Sequence, residues 1–69
     1  MTTDELRFHL EHLINFYVLD QTARTHLLSL VNKPDIPAKG ILAELEPLLS
    51  RAISQADAKI IKDIAFFFC

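Results

Sequence analysis

Three side chains near the start of the chain have the spacing of a metal site. Glu5, His9 and His12 lie at positions i, i+4 and i+7, which places them on one side of a helix and offers oxygen and nitrogen ligands. No nearby residue supplies the usual fourth ligand, and the sequence contains no His-x-x-Glu-His or Cys-x-x-Cys pattern. We therefore interpret these residues as the polar margin of an aromatic face, and we predict no metal and no other cofactor.

The residue types of enzyme catalysis are present but not arranged for it. Ser50 and Ser54 are in helical or capping contexts, and no Gly-x-Ser-x-Gly turn presents either of them as a nucleophile. Glu44 and Glu46 are two residues apart, so they point to different sides of any helix and form no acid–base pair. The single glycine, Gly40, is too little for a phosphate-binding loop. The sequence predicts a protein that is not an enzyme.

The composition indicates one globular domain with a surplus of apolar side chains. Of the 69 residues, 51% are hydrophobic and 23% are charged, and one domain spanning residues 1–69 is the expected organisation. A lone cysteine, Cys69, excludes an intrachain disulfide, and no base or cation stands beside it in sequence. Because a domain of this size buries only about 60% of the surface of its unfolded chain, we expect a second chain to cover part of the apolar surface.

The charge distribution favours a protein partner over nucleic acid. Seven Lys and Arg against nine Asp and Glu give a net charge of −2, which lacks the basic field that nucleic-acid binding requires. The acidic excess lies in residues 1–23, where Arg7 is the only Lys or Arg against Asp4, Glu5, Glu11 and Asp20. We predict that these four carboxylates steer the chain toward a basic protein surface.

Nothing in the sequence predicts a membrane or a targeting signal. The acidic start of the chain leads into no signal-peptide core, and the longest apolar run, from Ile64 to Cys69, is too short to span a bilayer. Lys59 and Lys62 alone flank the aromatic run Phe66-Phe67-Phe68, so we expect those rings in a core or a dimer contact. The expected location is the cytoplasm.

The first third of the chain has the pattern of a long amphipathic helix. Thr2 and Glu5 have the spacing of a capping box, and an apolar stripe follows at helical spacing: Leu6, Leu10, Leu13, Tyr17, Leu28 and Val31. Two interpretations fit, one helix from Thr3 to Asn32 or two helices broken near Asp20 to Thr22. Because residues 1–31 contain no Gly or Pro, we predict the continuous helix.

Prolines divide the remainder of the chain. The segment from Asn32 to Pro37 predicts a linker, with Pro37 as the first residue of a new helix and Asp35 or Ile36 in the capping position. Pro47 either kinks that helix or ends it at Glu46.

A last helix is predicted from about Gln55 to Phe67, with Ser54 as its cap. Strand signals are nearly absent. The predicted fold is all-α, with a long N-terminal helix, a proline-containing linker and one kinked or two shorter C-terminal helices. It is expected to be a small helical bundle completed by dimerisation.

A second apolar face on the first helix is the best candidate for function. Its members lie at helical spacing on a different side of the helix from the first stripe. They are Phe8, His12, Phe16, Leu19 and Leu30. Phe8, Leu19 and Leu30 recur every eleven residues, which keeps them on one side of a nearly straight helix. One stripe is expected to pack on the chain's own helices, and this second face to contact a partner protein or a second copy.

Two other function classes remain as alternatives. A helix-turn-helix DNA binder would use a turn from Asn32 to Ile36 and a reading helix from Pro37, which offers only Lys39 and Arg51 as basic residues. An antitoxin or immunity protein is the third possibility, and it would co-purify with a single neighbouring gene product.

The chain resembles the small inhibitors that bacteriophages encode to take over host regulators, in particular the anti-quorum-sensing type. The resemblance lies in the length, in the long first helix from Thr3, and in the joint of residues 34–37 that leads into residues 41–53. It implies a homodimer in the host cytoplasm that binds a quorum-sensing transcription factor at its basic DNA-binding domain and blocks access to DNA. An unrelated host target, such as a motility ATPase, is also compatible with it. It transfers no functional residue to this chain.

Overall fold

The computed structural model describes residues 1–49 and 52–69, and within these ranges the chain forms four α-helices and no strand. They are α1 (Thr3–Tyr17), α2 (Gln21–Val31), α3 (Ala38–Leu45) and α4 (Gln55–Phe68), with a 3₁₀ turn (Glu46–Leu48) after α3. The all-α class is confirmed. Ser50, considered above as a nucleophile, and Arg51, considered as a DNA contact, lie outside the described residues.

The predicted continuous N-terminal helix is wrong, because the chain turns between α1 and α2. Val18 leaves the helical region with φ −90° and ψ 109°, and its side chain is fully buried. Asp20 then caps α2, since its carboxylate accepts a hydrogen bond of 2.8 Å from the Ala23 N–H. Burial of Val18 and the Asp20 cap together favour the break, although no Gly or Pro is present.

Two arginines bind the carboxyl ends of the first two helices. The Arg24 guanidinium donates to the Val18 carbonyl oxygen over 3.1 and 2.8 Å, just after α1 ends. The Arg7 guanidinium donates to the carbonyl oxygens of Val31, over 3.2 Å, and of Lys33, over 3.3 Å, at the end of α2. Cations suit these positions because the last carbonyls of a helix form its negative end. Both arginines therefore hold the fold together.

The prolines interrupt the helices close to the predicted positions. The linker is non-helical, but α3 begins one residue later than predicted, because Pro37 is the capping residue and no side chain caps the helix. Near Pro47, α3 ends at Leu45 and the 3₁₀ turn follows, so the interpretation with two shorter C-terminal helices is confirmed. Proline removes one helical hydrogen bond, which the tighter 3₁₀ turn tolerates.

The last helix, α4, has the predicted cap and is one residue longer than predicted. Ser54 Oγ accepts from the Asp57 N–H at 3.1 Å, and the helix ends at Phe68. The side chains of Phe66, Phe67 and Phe68 are exposed rather than packed in the core of the chain. In residues 1–49 and 52–69, no helix has the length and apolarity needed to cross a membrane.

One hydrophobic core is shared by all four helices. Helix α1 contributes most of it, and the predicted stripe of Leu6, Leu10, Leu13 and Tyr17 is confirmed as its buried face. The other helices add fully buried side chains that include Leu27, Val31, Ile41, Leu45 and Ile64. Because α1 packs its apolar side inward, its opposite side is left to solvent.

Candidate functional site

The outer side of α1 carries large apolar side chains that a core would normally hold. Phe8 is 67% exposed and Phe16 is 46% exposed, and Leu19, in the link after α1, is 64% exposed. At about 100° per residue, Phe8 projects opposite the buried Leu10 and Tyr17. Exposed rings on the outer side of a helix make this side the candidate contact surface of the chain.

Acidic side chains surround these rings. Relative to Phe8, helical geometry places Asp4, Glu5 and Glu11 within about 60°. We call this surface the acidic–aromatic face and define it by Asp4, Glu5, Phe8, Glu11, His12 and Phe16. It combines apolar area with negative charge, which suits a basic and partly apolar partner surface.

The four carboxylates predicted to steer a partner occupy different local settings. Asp4 is almost fully exposed and pairs with Arg7 at 3.6 Å. Glu5 completes the capping box, and the hydrogen bond from the Thr2 N–H lowers its pKa. Glu11 is partly exposed on α1, and Asp20 is exposed at the cap of α2. Two of the four carboxylates therefore also cap a helix.

A hydrogen-bonded network lies beneath the acidic–aromatic face and joins α1 to α4. The Tyr17 hydroxyl donates to Asp57 Oδ2 at 2.5 Å, and His12 Nε2 lies 3.1 Å from Asp57 Oδ1. The Ser54 N–H donates to the Tyr17 hydroxyl oxygen at 3.4 Å. Asp57 is the buried carboxylate among the described residues, at 8% exposure. Burying a carboxylate requires such partners, and here they tie the two helices together.

Ser54 and Asp57 have the three-residue spacing of a capping box, and the network replaces half of that box. Ser54 accepts from the Asp57 N–H as the sequence predicts. The Asp57 carboxylate does not return to the Ser54 N–H but binds Tyr17 and His12, and the Tyr17 hydroxyl accepts from Ser54 instead. A tyrosine of α1 thus takes part in the N-terminal cap of α4.

The same network orients the ring of Phe16. The Phe16 ring stacks on His12 with centroids 5.7 Å apart and meets Tyr17 edge to face at 4.8 Å. His12 and Tyr17 are both hydrogen-bonded to Asp57. Because its two neighbours are anchored, the orientation of the Phe16 ring is restricted.

Asp57 also gives the fold a specific dependence on pH. The hydrogen bond from Tyr17, helped by Ser54 and His12, lowers the pKa of Asp57 below its ordinary value of 3.8, although burial opposes the change. The folded-state pKa is therefore below that of the unfolded chain. The ionised carboxylate stabilises the fold above about pH 4, and this contribution is lost as the pH falls through the lowered pKa.

We expect the free energy of unfolding to decrease between pH 5 and pH 2 by less in Tyr17→Phe than in the wild type, because the substitution removes the main cause of the lowered pKa. Urea unfolding at each pH, followed by circular dichroism, measures this. Equal decreases in the two proteins would contradict the role given to the Tyr17 hydrogen bond.

The alternative metal site formed by Glu5, His9 and His12 gains no support. Glu5 is bound to the Thr2 N–H, while His12 Nε2 is directed to Asp57. Within residues 1–49 and 52–69, no group of three side chains with metal-ligand chemistry comes together.

Leu19 and Leu30 are separated from the pattern that suggested them. The eleven-residue spacing of Phe8, Leu19 and Leu30 needs one straight helix, and the turn after Tyr17 interrupts it. Leu19 is exposed in the link, whereas Leu30 lies on α2, is half-buried and packs against the core. The structure thus keeps Phe8, His12 and Phe16 on one helix face and places Leu30 elsewhere.

The helices that would form a helix-turn-helix reader present little basic surface. Lys39 is exposed on α3. Glu44, on the same helix, adds a negative charge there, and its Oε2 lies 3.4 Å from His26 Nε2 of α2. Arg7 and Arg24 are bound to backbone carbonyls. Among the described residues of α3, Lys39 is the basic side chain that could contact DNA bases. These helices therefore do not favour the helix-turn-helix DNA binder.

Asp57 is the functional-site residue that sequence reasoning did not single out. The one available signal was Tyr17 in an otherwise aliphatic stripe, since a buried tyrosine hydroxyl normally needs a polar partner. Comparison with known proteins adds nothing to this geometry, since no protein-family model, curated protein or solved structure matches the chain.

Proposed function

We propose that this chain is a small non-enzymatic protein that binds another protein and inhibits it by covering a surface that the partner needs. The acidic–aromatic face is the observation that carries the proposal. Phe8 and Phe16 serve as apolar anchors, and the surrounding carboxylates select a basic partner. His12 and Tyr17 support the Phe16 anchor from below.

The partner we propose is the DNA-binding domain of a host quorum-sensing transcription regulator, with the chain acting as a bacteriophage inhibitor. A DNA-binding domain presents the basic surface that the acidic–aromatic face would complement, and the surface it uses for DNA would be covered. The resemblance to phage inhibitors supports this choice through the chain length and the joint at residues 34–37. The long first helix no longer contributes to it, because α1 and α2 are separate.

A competition experiment tests this partner. A purified quorum-sensing regulator bound to its labelled operator DNA is titrated with the chain, and the complex is followed by gel mobility. We expect free DNA to appear as the chain is added, because the chain and the DNA would compete for the same basic surface. Operator DNA that stays bound at saturating chain would show that this regulator is not the partner.

A further inference from the structure

The last turn of α4 carries only uncharged side chains, and all of them are exposed to solvent. Residues 65–69 read Ala-Phe-Phe-Phe-Cys and are all exposed. Phe66 is 81% exposed and Phe67 is 57% exposed, with their rings edge to face at 5.1 Å. A helical turn that is apolar on every side is typical of a buried helix, so another molecule is expected to cover it.

The outer side of α4 has a charge pattern that points to what covers it. At about 100° per residue, Lys59 and Lys62 lie within about 40° of Phe66, on the side opposite the buried Asp57 and Ile64. The partly buried Asp63 lies about 60° from Phe66, at the edge of this side. The two lysines are exposed and stand one to two turns before Phe66. The carboxyl end of the helix, beyond Phe66, is its negative pole. This side of α4 therefore runs from positive to negative charge, with an aromatic ring between.

We propose that this end of α4 packs against the same end of α4 in a second copy of the chain, antiparallel and around a two-fold axis close to Phe66. Such an axis brings Phe66 against its counterpart. It also places Lys62 of each copy beside the negative end of the other helix, so the charges are complementary.

The acidic–aromatic face is unsuited to the same role. In a two-fold contact a surface meets an identical surface, so the excess of carboxylates at Asp4, Glu5 and Glu11 would meet the same excess on the second copy and repel it. The uncharged rings of α4 carry no such penalty. The α4 end thus serves self-association, and α1 remains available for a different protein.

The size of the apolar patch sets the strength of this dimer. Scaling the area of a phenylalanine side chain by the exposures of Phe66, Phe67 and Phe68 gives an upper limit on the order of 700 Å² for the pair. A contact on the Phe66 side buries less, because the helix turns Phe67 and Phe68 away from Phe66 by about 100° and 160°. Stable interfaces bury at least about 1,200 Å². The dimer is accordingly weak, with a Kd in the micromolar range or above.

Sedimentation velocity from micromolar to near-millimolar concentration tests the proposal. We expect the wild-type sedimentation coefficient to rise with concentration toward that of a dimer, and Phe66→Glu to remain monomeric throughout. Ala43→Glu, which adds the same charge at an exposed position of α3, should behave as the wild type. Lys62→Glu should raise the Kd several-fold, because it places a carboxylate beside the negative end of the partner helix. Circular dichroism confirms that each variant keeps its helix content.

Several results would overturn the proposal. A wild-type chain that stays monomeric, or a Phe66→Glu variant that still associates, would show that the α4 end is not the contact. Association lost in Phe8→Ala/Phe16→Asp but kept in Phe66→Glu would assign dimerisation to α1. A monomeric chain that co-sediments with anionic lipid vesicles through Phe66 would make a lipid surface the occupant. The proposal is independent of the proposed function, since Phe66→Glu leaves the acidic–aromatic face intact.

Discussion

Replacing Asp57 by alanine is expected to lower the free energy of unfolding by about 2 kcal/mol. The substitution leaves the buried Tyr17 hydroxyl without the carboxylate that accepts its hydrogen bond, and it removes the partner of His12. In a domain whose total stability is of the order of 5 kcal/mol, this is a large fraction, and the melting temperature should fall by several degrees. Urea unfolding monitored by circular dichroism measures the change.

Asp63→Ala is the matched control, because Asp63 lies on the same helix and is only partly buried. Its effect on stability should be within about 0.5 kcal/mol. The double variant with Tyr17→Phe tests the coupling directly: the two single effects should sum to more than the effect of the double variant by about 1 kcal/mol. Additive effects would show that the Tyr17–Asp57 hydrogen bond does not join α1 to α4 energetically.

The double variant Phe8→Ala/Phe16→Asp is expected to weaken partner binding by at least about 100-fold. It removes two apolar anchors and places a carboxylate where an aromatic ring would enter the partner. Both side chains lie outside the core, so the fold should persist. Circular dichroism checks the helix content, because Phe16→Asp adds a carboxylate in the last turn of α1. Isothermal titration with the purified partner gives the change in Kd.

Thr25→Asp is the control for added charge, since Thr25 is exposed on α2 and lies outside the acidic–aromatic face. It should bind the partner as the wild type does. A double variant that binds as tightly as this control would move the contact away from α1.

Local rules predicted the parts of the fold that depend on neighbouring residues. The Thr2–Glu5 capping box, the Ser54 cap and the interruption at Pro47 each involve groups within a few residues, and all three are present. The buried face of α1 was also readable, because helical periodicity alone specifies it.

The parts that sequence missed depend on tertiary contacts. Asp20 can lie on a helix surface or cap a new helix, and only the burial of Val18 and the approach of Arg24 decide between these states. Tyr17 indicated that some polar group lies in the core, but Asp57 is 40 residues away in sequence. Periodicity contains no information about which helix supplies that partner.

The two exposed aromatic surfaces show the same distinction between local sequence pattern and tertiary structure. The composition already indicated more apolar surface than a chain of 69 residues can hide. The sequence already placed apolar residues on a second face of the N-terminal helix and in residues 66–68, and the fold shows that rings at both places are exposed. Those on α1 lie among carboxylates, and those on α4 follow Lys59 and Lys62. That difference in charge is the reason to assign them different partners.

Quantitative capture of proteins from a lysate of the proposed bacterial host tests the central claim, that the outer side of α1 binds another protein. Wild type, Thr25→Asp, Phe66→Glu and Phe8→Ala/Phe16→Asp are each immobilised and exposed to the same host lysate, and retained proteins are compared by mass spectrometry. We predict a basic protein retained by the first three and lost from the fourth. A retained set that is the same for all four would contradict the claim.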